Sequence, residues 1–212
     1  QKRMLVVGAE DGNTECIIPF AAMRALSYSE NPREASRPFD RNRDGFVGTG
    51  GGVAMVLEDE ETARQRGASV LARFTGYGQA SDGYNAVLPQ GQGDGIRRAM
   101  EIAMARNSLT TSDIDYLNAH APSTQMGDIA EVRAIKAVFG ENGSGPRISS
   151  TKALTGHALS MASILEAAIC VLAIHHQAIP GSANLTEVEE EAAHLRIPRA
   201  TEPGEIRHAL SN

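Results

Sequence analysis

The chain has 212 residues, enough for one sizeable domain with a core or for a compact part of a larger one. Hydrophobic residues make up 42% and aromatics 4%, with no Trp, a globular composition that lacks the aromatic platforms used to stack nucleic-acid bases. The net charge of −6 argues against a polyanionic partner, although Arg33, Arg37, Arg41 and Arg43 lie close enough in sequence for a local basic patch.

In chain order, MLVVGAE (4–10) is a continuous apolar run and predicts a buried strand. IIPFAAMRALS (17–27) predicts a short helix, and the Pro-, Arg- and Asp-rich stretch 31–46 an ordered loop. VGTGGGVAMVLED (47–59) is a Gly-rich entry into a strand. A short charged helix follows, and SVLARFTGYGQ (69–79) predicts a second strand beside 47–59. Residues 95–107 place Ile96, Met100, Ala103 and Met104 on one helical face. Strands are then expected at 114–120 and 147–151, and an amphipathic helix at 127–140. Residues 160–177 form a helix apolar on nearly all sides, which requires cover on both flanks. The acidic run 187–194 predicts a solvated face. Strands alternating with helices from residue 95 onward imply an α/β unit with a largely parallel sheet, and the all-apolar helix implies a layer held between two sheets.

The two cysteines, Cys16 and Cys170, suit neither a disulfide framework nor a zinc site, so no metal is expected. Cys170 lies in LEAAICVLAI as a small buried hydrophobe. The longest apolar run, Leu165–Ile174, falls short of the ~20 residues of a membrane helix, and no leader-type segment is visible. A reducing cytoplasm is the expected location. The opening QKRM runs straight into a strand and the closing IRHALSN is itself strand-like, so a cut at both ends is expected.

His120 follows the strand IDYLNA, and His157 follows RISSTKAL through the turn TG. The carboxyl ends of parallel strands face the functional crevice, so two imidazoles in equivalent settings can converge there, although each alone is more simply a structural histidine. Lys152 shares the strand end of His157; it is either a surface lysine or a cation that biases the histidines. Asp128 and Glu131 sit in the first turns of the helix after NAHAPST. Asp128 suits a helix cap, and Glu131 a partner for Lys152. Glu166 is a lone carboxylate in an apolar helix, requires a partner or a proton, and again points to Lys152. Neutral imidazoles can stabilise an oxyanion or relay protons. Cys16 has no elbow around it that would make a nucleophile.

RPFDRNRDGFV, NAHAPST followed by GD, and SSTKALTGHALS together resemble the β-ketoacyl-[acyl-carrier-protein] synthases of thiolase-like fold, over essentially the whole chain. The resemblance implies a layered α/β fold with mixed sheets and a buried helix layer. Residues 1–94 would be the end of the first thiolase-like half with its connecting cap, and 95–212 most of the second. It implies decarboxylative Claisen condensation of an acyl thioester with a malonyl thioester on acyl carrier protein, in fatty acid biosynthesis. His120, His157 and Lys152 match the catalytic set, Asp128, Glu131 and Glu166 the supporting network, and Ser123 and Thr124 the hydroxyls that contact a phosphopantetheine arm. That arm belongs to the carrier, so the enzyme needs no cofactor of its own. The family's nucleophilic cysteine would lie upstream of residue 1, and the family is dimeric. Ala121-Pro122 stands where the family usually has Gly-Thr, and Ser160 and Ser163 where it has Gly. The alternative is a non-catalytic subunit that shapes the acyl pocket of an active synthase.

Overall fold

Strand β1 (Arg3–Glu10) and strand β2 (Gly51–Glu58) form an antiparallel ribbon, Arg3 opposite Glu58 and Glu10 opposite Gly51, in the computed structural model, which describes residues 2–212. Between them α1 (Thr14–Ala22) opens on Asn13, whose side chain accepts from Cys16 N. The helix starts earlier than the 17–27 prediction because that cap precedes it. The stretch 31–46 is an ordered loop, pinned by the fully buried Asp40. Burial raises the pKa of that carboxyl, but the N–H groups of Glu187, Asn42 and Thr186 outweigh it and hold the group below its usual range. Helix α2 (Glu60–Gln65) follows β2 at once, capped by Asp59.

Two strand expectations need correction. Residues 69–79 form no strand: β2 takes β1 as its partner, and 69–79 runs without a ladder. Gly78 instead presses on α3 (Asp94–Ala105), where a Cβ would collide with the Ala99 carbonyl. Strand β1 is a strand but not a buried one, with Met4 49%, Leu5 65% and Val7 62% exposed. Its apolar run satisfies the ladder, and among the described residues no layer covers the Leu5–Val7 face.

In the second part, β3 (Tyr116–Asn118), α4 (Gln125–Phe139) and β4 (Arg147–Ser149) follow as expected. Helix α5 (Lys152–Thr155), a 3₁₀ turn (Leu159–Met161) and α6 (Ala162–His176) come next, then the short pair β5 (Ala178–Ile179) and β6 (Glu202–Pro203), and finally β7 (Ala209–Ser211). The parallel sheet has the order β4-β3-β7. Leu117 and Ile148 pack with Met100, Val132 and Ile135 on one face, while Tyr116 packs with Cys170 and Ala173 of α6 on the other. Helix α6 touches both the β1–β2 ribbon and β7, the layering expected from its composition.

Its burial is narrower than expected. Only the stripe Ala162, Glu166, Cys170 and Ala173 is buried, and Leu172 is 50% exposed. With the 3₁₀ turn included, Leu159–His176 has a mean hydropathy of 1.6 and is long and apolar enough to cross a membrane, so the shorter run counted from sequence understates it. Its contacts with both sheets and the ion pair on its buried stripe make it a core helix of this fold. The acidic run also does more than face solvent: Glu189 accepts from buried Arg43 at 2.7 Å, and Glu191 receives Arg133 in a two-pronged pair at 2.5 and 2.7 Å. Arg37 pairs with Asp44 and Arg41 with Glu187, so no continuous basic patch forms from these arginines.

Candidate functional site

The site stands at the carboxyl ends of β3 and β4. His120 lies two residues past β3, and His157 lies past α5, held beside 47–49: its N–H donates to Val47 O at 2.7 Å and its carbonyl accepts from Thr49 N at 3.2 Å. These two turns bring the imidazoles edge to face, ring centroids 5.0 Å apart and planes at 85°. Phe46 packs edge-on against His157 at 5.0 Å. Burial first, then the positive charge of Lys152, holds His157 down at about 4. Burial, Lys152 and His157 together hold His120 at about 3. Both rings are therefore neutral at pH 7. His157 Nδ1 is buried with no hydrogen-bond partner.

Lys152 is buried, not a surface lysine. Its ammonium donates to the His120 carbonyl at 2.5 Å and pairs directly with Glu166. The Glu166 carboxyl is pushed up to about 7 by burial, against the pull of Lys152. The expected Glu166–Lys152 pair is thus formed, whereas Glu131 makes no ion pair with Lys152. Glu131 accepts instead from His120 N at 2.8 Å, Ala121 N at 2.6 Å and Asn212 Nδ2 at 2.7 Å. The NAHAPST turn exposes backbone donors inside the protein, and this carboxylate satisfies them. Burial still raises its pKa. Asp128 is not the cap of α4, which is Thr124; from within the first turns it accepts from Thr124 N at 3.0 Å and from Phe39 N at 3.1 Å. Burial pushes its carboxyl up to about 7 although Arg43 stands 3.7 Å away.

The two hydroxyls separate. Ser123 is fully buried at φ +76°, and its Oγ accepts from Arg37 N at 3.0 Å, so the hydroxyl serves the loop. Thr124 lines an open cleft of about 490 Å³ together with His120, Pro122, Gly127 and the residues around Val87. Pro122 brings no N–H to this wall. Cys170 is buried and its thiol is pushed up to about 12, by burial first and Glu166 second. Cys16 is exposed, and partial desolvation with Asp11 and Glu10 holds its thiol above the ordinary value. Neither is activated.

Sequence reasoning missed Arg43 and Asn212. Arg43 is buried and donates to the carbonyls of Thr124 (2.9 Å), Gln125 (2.6 Å) and Asp40 (2.9 Å), which fixes the start of α4. Its signal was the density of Asp and Arg in RPFDRNRDGF. Asn212 had no signal, because its partner Glu131 is distant in sequence.

Residues 71–186 match the family described as Beta-ketoacyl synthase, C-terminal domain, and residues 1–63 match Beta-ketoacyl synthase, N-terminal domain. The 3-oxoacyl-[acyl-carrier-protein] synthase 1 of Escherichia coli (strain K12) is 44% identical over 207 residues, 97% of this chain and 49% of that protein. The 3-oxoacyl-[acyl-carrier-protein] synthase 2 of Vibrio harveyi is 40% identical over 213 residues, 99% of this chain and 51% of its own length. Among solved structures, a beta-ketoacyl synthase from Burkholderia phymatum STM815 superposes with a TM-score of 0.93 at 34% identity, covering 100% of this chain and 51% of the other. A type II PKS acyl-carrier protein in complex with its ketosynthase gives 0.92 at 33%, covering 99% and 52%. The chain spans about half the length of the curated relatives it matches.

Proposed function

Because the chain belongs to the β-ketoacyl synthase family, we propose that it supplies the His120–His157–Lys152 part of a condensing site in fatty acid biosynthesis. The reaction is the condensation of an acyl thioester with a malonyl thioester presented by acyl carrier protein. The malonyl carboxylate leaves as carbon dioxide, and its bonding electrons form an enolate at the thioester. The enolate carbon attacks the acyl carbonyl, a carbon–carbon bond forms, the carbon–sulfur bond breaks and the thiolate that carried the acyl group departs without it. The negative charge that develops on the enolate oxygen requires donors already in place.

The observation that carries this reading is the pair of neutral, edge-to-face imidazoles with a buried, unpartnered Nδ1 on His157. A buried polar atom without a partner is costly, so its persistence here marks the His157 ring as more than packing. Neutral imidazoles donate N–H bonds without the desolvation cost of buried cations. Lys152 holds the His120 carbonyl, and burial first, then its positive charge, keeps both rings neutral. Thr124, on the cleft wall, contacts the pantetheine arm of the carrier; Ser123 is already committed to Arg37 N. The thiol that carries the acyl group comes from elsewhere in the working protein, since Cys16 and Cys170 are both unactivated. The division into residues 1–94 and 95–212 belongs to the same proposal. The second reading, a non-catalytic subunit that shapes the pocket of an active synthase, draws on Pro122 in the cleft wall.

The test is His120→Ala and His157→Ala in the complete protein that carries this chain, assayed separately for acyl transfer to the enzyme and for condensation. Loss of one positioned proton donor is expected to cost ~10²–10⁴ in condensation while acyl transfer continues. Condensation that survives both substitutions would favour the second reading.

A further inference from the structure

Ser160 makes a contact that the proposed chemistry does not use. It lies in the 3₁₀ turn Leu159–Met161, three residues after His157. Its Oγ donates to Glu10 Oε2 at 2.6 Å, and its N–H reaches the same oxygen at 3.3 Å. The Ala9 carbonyl is 3.4 Å from Oγ. A hydroxyl has one proton, so the short contact to Glu10 is the bond. Glu10 is the last residue of β1, far from residue 160 in sequence. Its carboxyl is held below its ordinary value, first of all by Ser160.

The residue before Ser160 shows what the bond restrains. Leu159 has φ +42°, a left-handed conformation that a non-glycine residue keeps only when its surroundings impose it. The packing beneath is close: a Cβ on Gly8 would run into Ile164, and Met161 Cγ would stand 3.2 Å from it. The turn that carries His157 is therefore held at two points by the first part of the chain. Val47 and Thr49 bond the His157 backbone, and Glu10 holds Ser160 on the far side of Leu159.

We infer that Ser160 is a positioning residue: its bond to Glu10 locks the Leu159 turn and so fixes the His157 ring against His120. The inference rests on His157 standing at the reacting centre, as proposed above. It also explains the Ser160 departure from the family pattern, because glycine there could not make the side-chain bond. The competing account is an exposed serine at a helix entry, worth only its local capping.

The experiment uses the complete protein with Ser160→Ala, Glu10→Ala, the double substitution and Ser160→Thr. Three quantities are read: kcat and KM for condensation, thermal midpoint, and the ¹⁵N resonances of the His157 and His208 rings. Each single alanine variant is expected to lower kcat about two- to tenfold, the size of one exposed-to-half-buried hydrogen bond, with KM changed less than about twofold. The double variant should be no worse than Glu10→Ala alone, because loss of the carboxylate already removes both Ser160 contacts. Ser160→Thr should restore kcat. The His157 resonances should move while those of His208, bonded to the Asp113 carbonyl, stay in place. His157 resonances that do not move, additive losses, or losses that track the thermal midpoint would overturn the inference. Shifted His157 resonances with unchanged kcat would leave the positioning role intact and sink the catalytic reading of His157 instead.

Discussion

The β1–β2 ribbon and the β4-β3-β7 sheet divide the marks of a strand between them. The ribbon has the longer ladder, from Arg3–Glu58 to Glu10–Gly51, yet leaves Leu5, Val7 and Val56 exposed. Strand β3 is only Tyr116–Asn118 and is wholly buried. Its alternate side chains enter two different clusters, Leu117 among α3 and α4 and Tyr116 against α6. A ladder makes a strand; covering layers make it a core. The candidate site is on the short, covered strands, because only there can buried carboxylates hold a backbone turn in one geometry.

The sharpest way to break that contrast is at Lys152. Removal of its ammonium strands the Glu166 carboxylate, 4% exposed, and the His120 carbonyl. Breaking one side of a buried pair costs ~3–5 kcal/mol, so Lys152→Ala should show a large drop in urea midpoint. The double replacement Lys152→Met/Glu166→Leu should recover much of it, since a well-packed apolar pair avoids desolvation. If Lys152→Ala lost under about 1 kcal/mol, water would have to reach the pair, and the covered sheet would be more open than its burial indicates.

What was legible in the sequence follows the same divide. The β3-α4-β4 order, the convergence of His120 and His157, and the Lys152–Glu166 pair were readable because strand ends and a lone carboxylate in an apolar helix are local signals with one physical outcome. The burial of 4–10 and the strand at 69–79 were misjudged because both depend on what lies alongside, which no local pattern encodes. The Glu131 role was misassigned for a related reason. Opposite charges suggested Lys152, but the orphan N–H groups of His120 and Ala121 were nearer and needed an acceptor more. Ser123 looked like a free hydroxyl until the loop 31–46 folded over it and Arg37 N took it.

A medium effect is expected in the pH dependence of stability. The His120 and His157 pKa values fall on folding, from an ordinary 6.5 to about 3 and about 4. The unfolded chain then binds more protons, and these groups make stability rise with pH from about 4 to 6.5. The Asp128 and Glu166 pKa values rise on folding to about 7. Their contribution is full below about pH 4 and is lost as pH climbs through 7. Glu131, also raised by burial, adds to the carboxyl set, and the imidazoles oppose that set between about pH 4.5 and 6.5, so the urea midpoint should fall only shallowly there. In His120→Asn/His157→Asn the rising part disappears, and the midpoint should fall steadily across the same window. A double variant with the same pH profile as the parent would mean that the imidazoles titrate normally and are not desolvated.

The smallest effect belongs to the ribbon. Leu5→Thr and Val7→Thr remove apolar surface that faces solvent among the described residues, and exposed substitutions of this kind change stability by ~0.5 kcal/mol or less. Leu117→Ala, at a fully buried position, should cost ~2–5 kcal/mol under the same conditions. The informative result would be a ribbon variant of the chain that loses more than about 1 kcal/mol and does so only at high protein concentration. That pattern would mean a second copy covers the Leu5–Val7 face, because a stabilising contact between chains grows with concentration, whereas an exposed side chain on a lone ribbon has no such dependence.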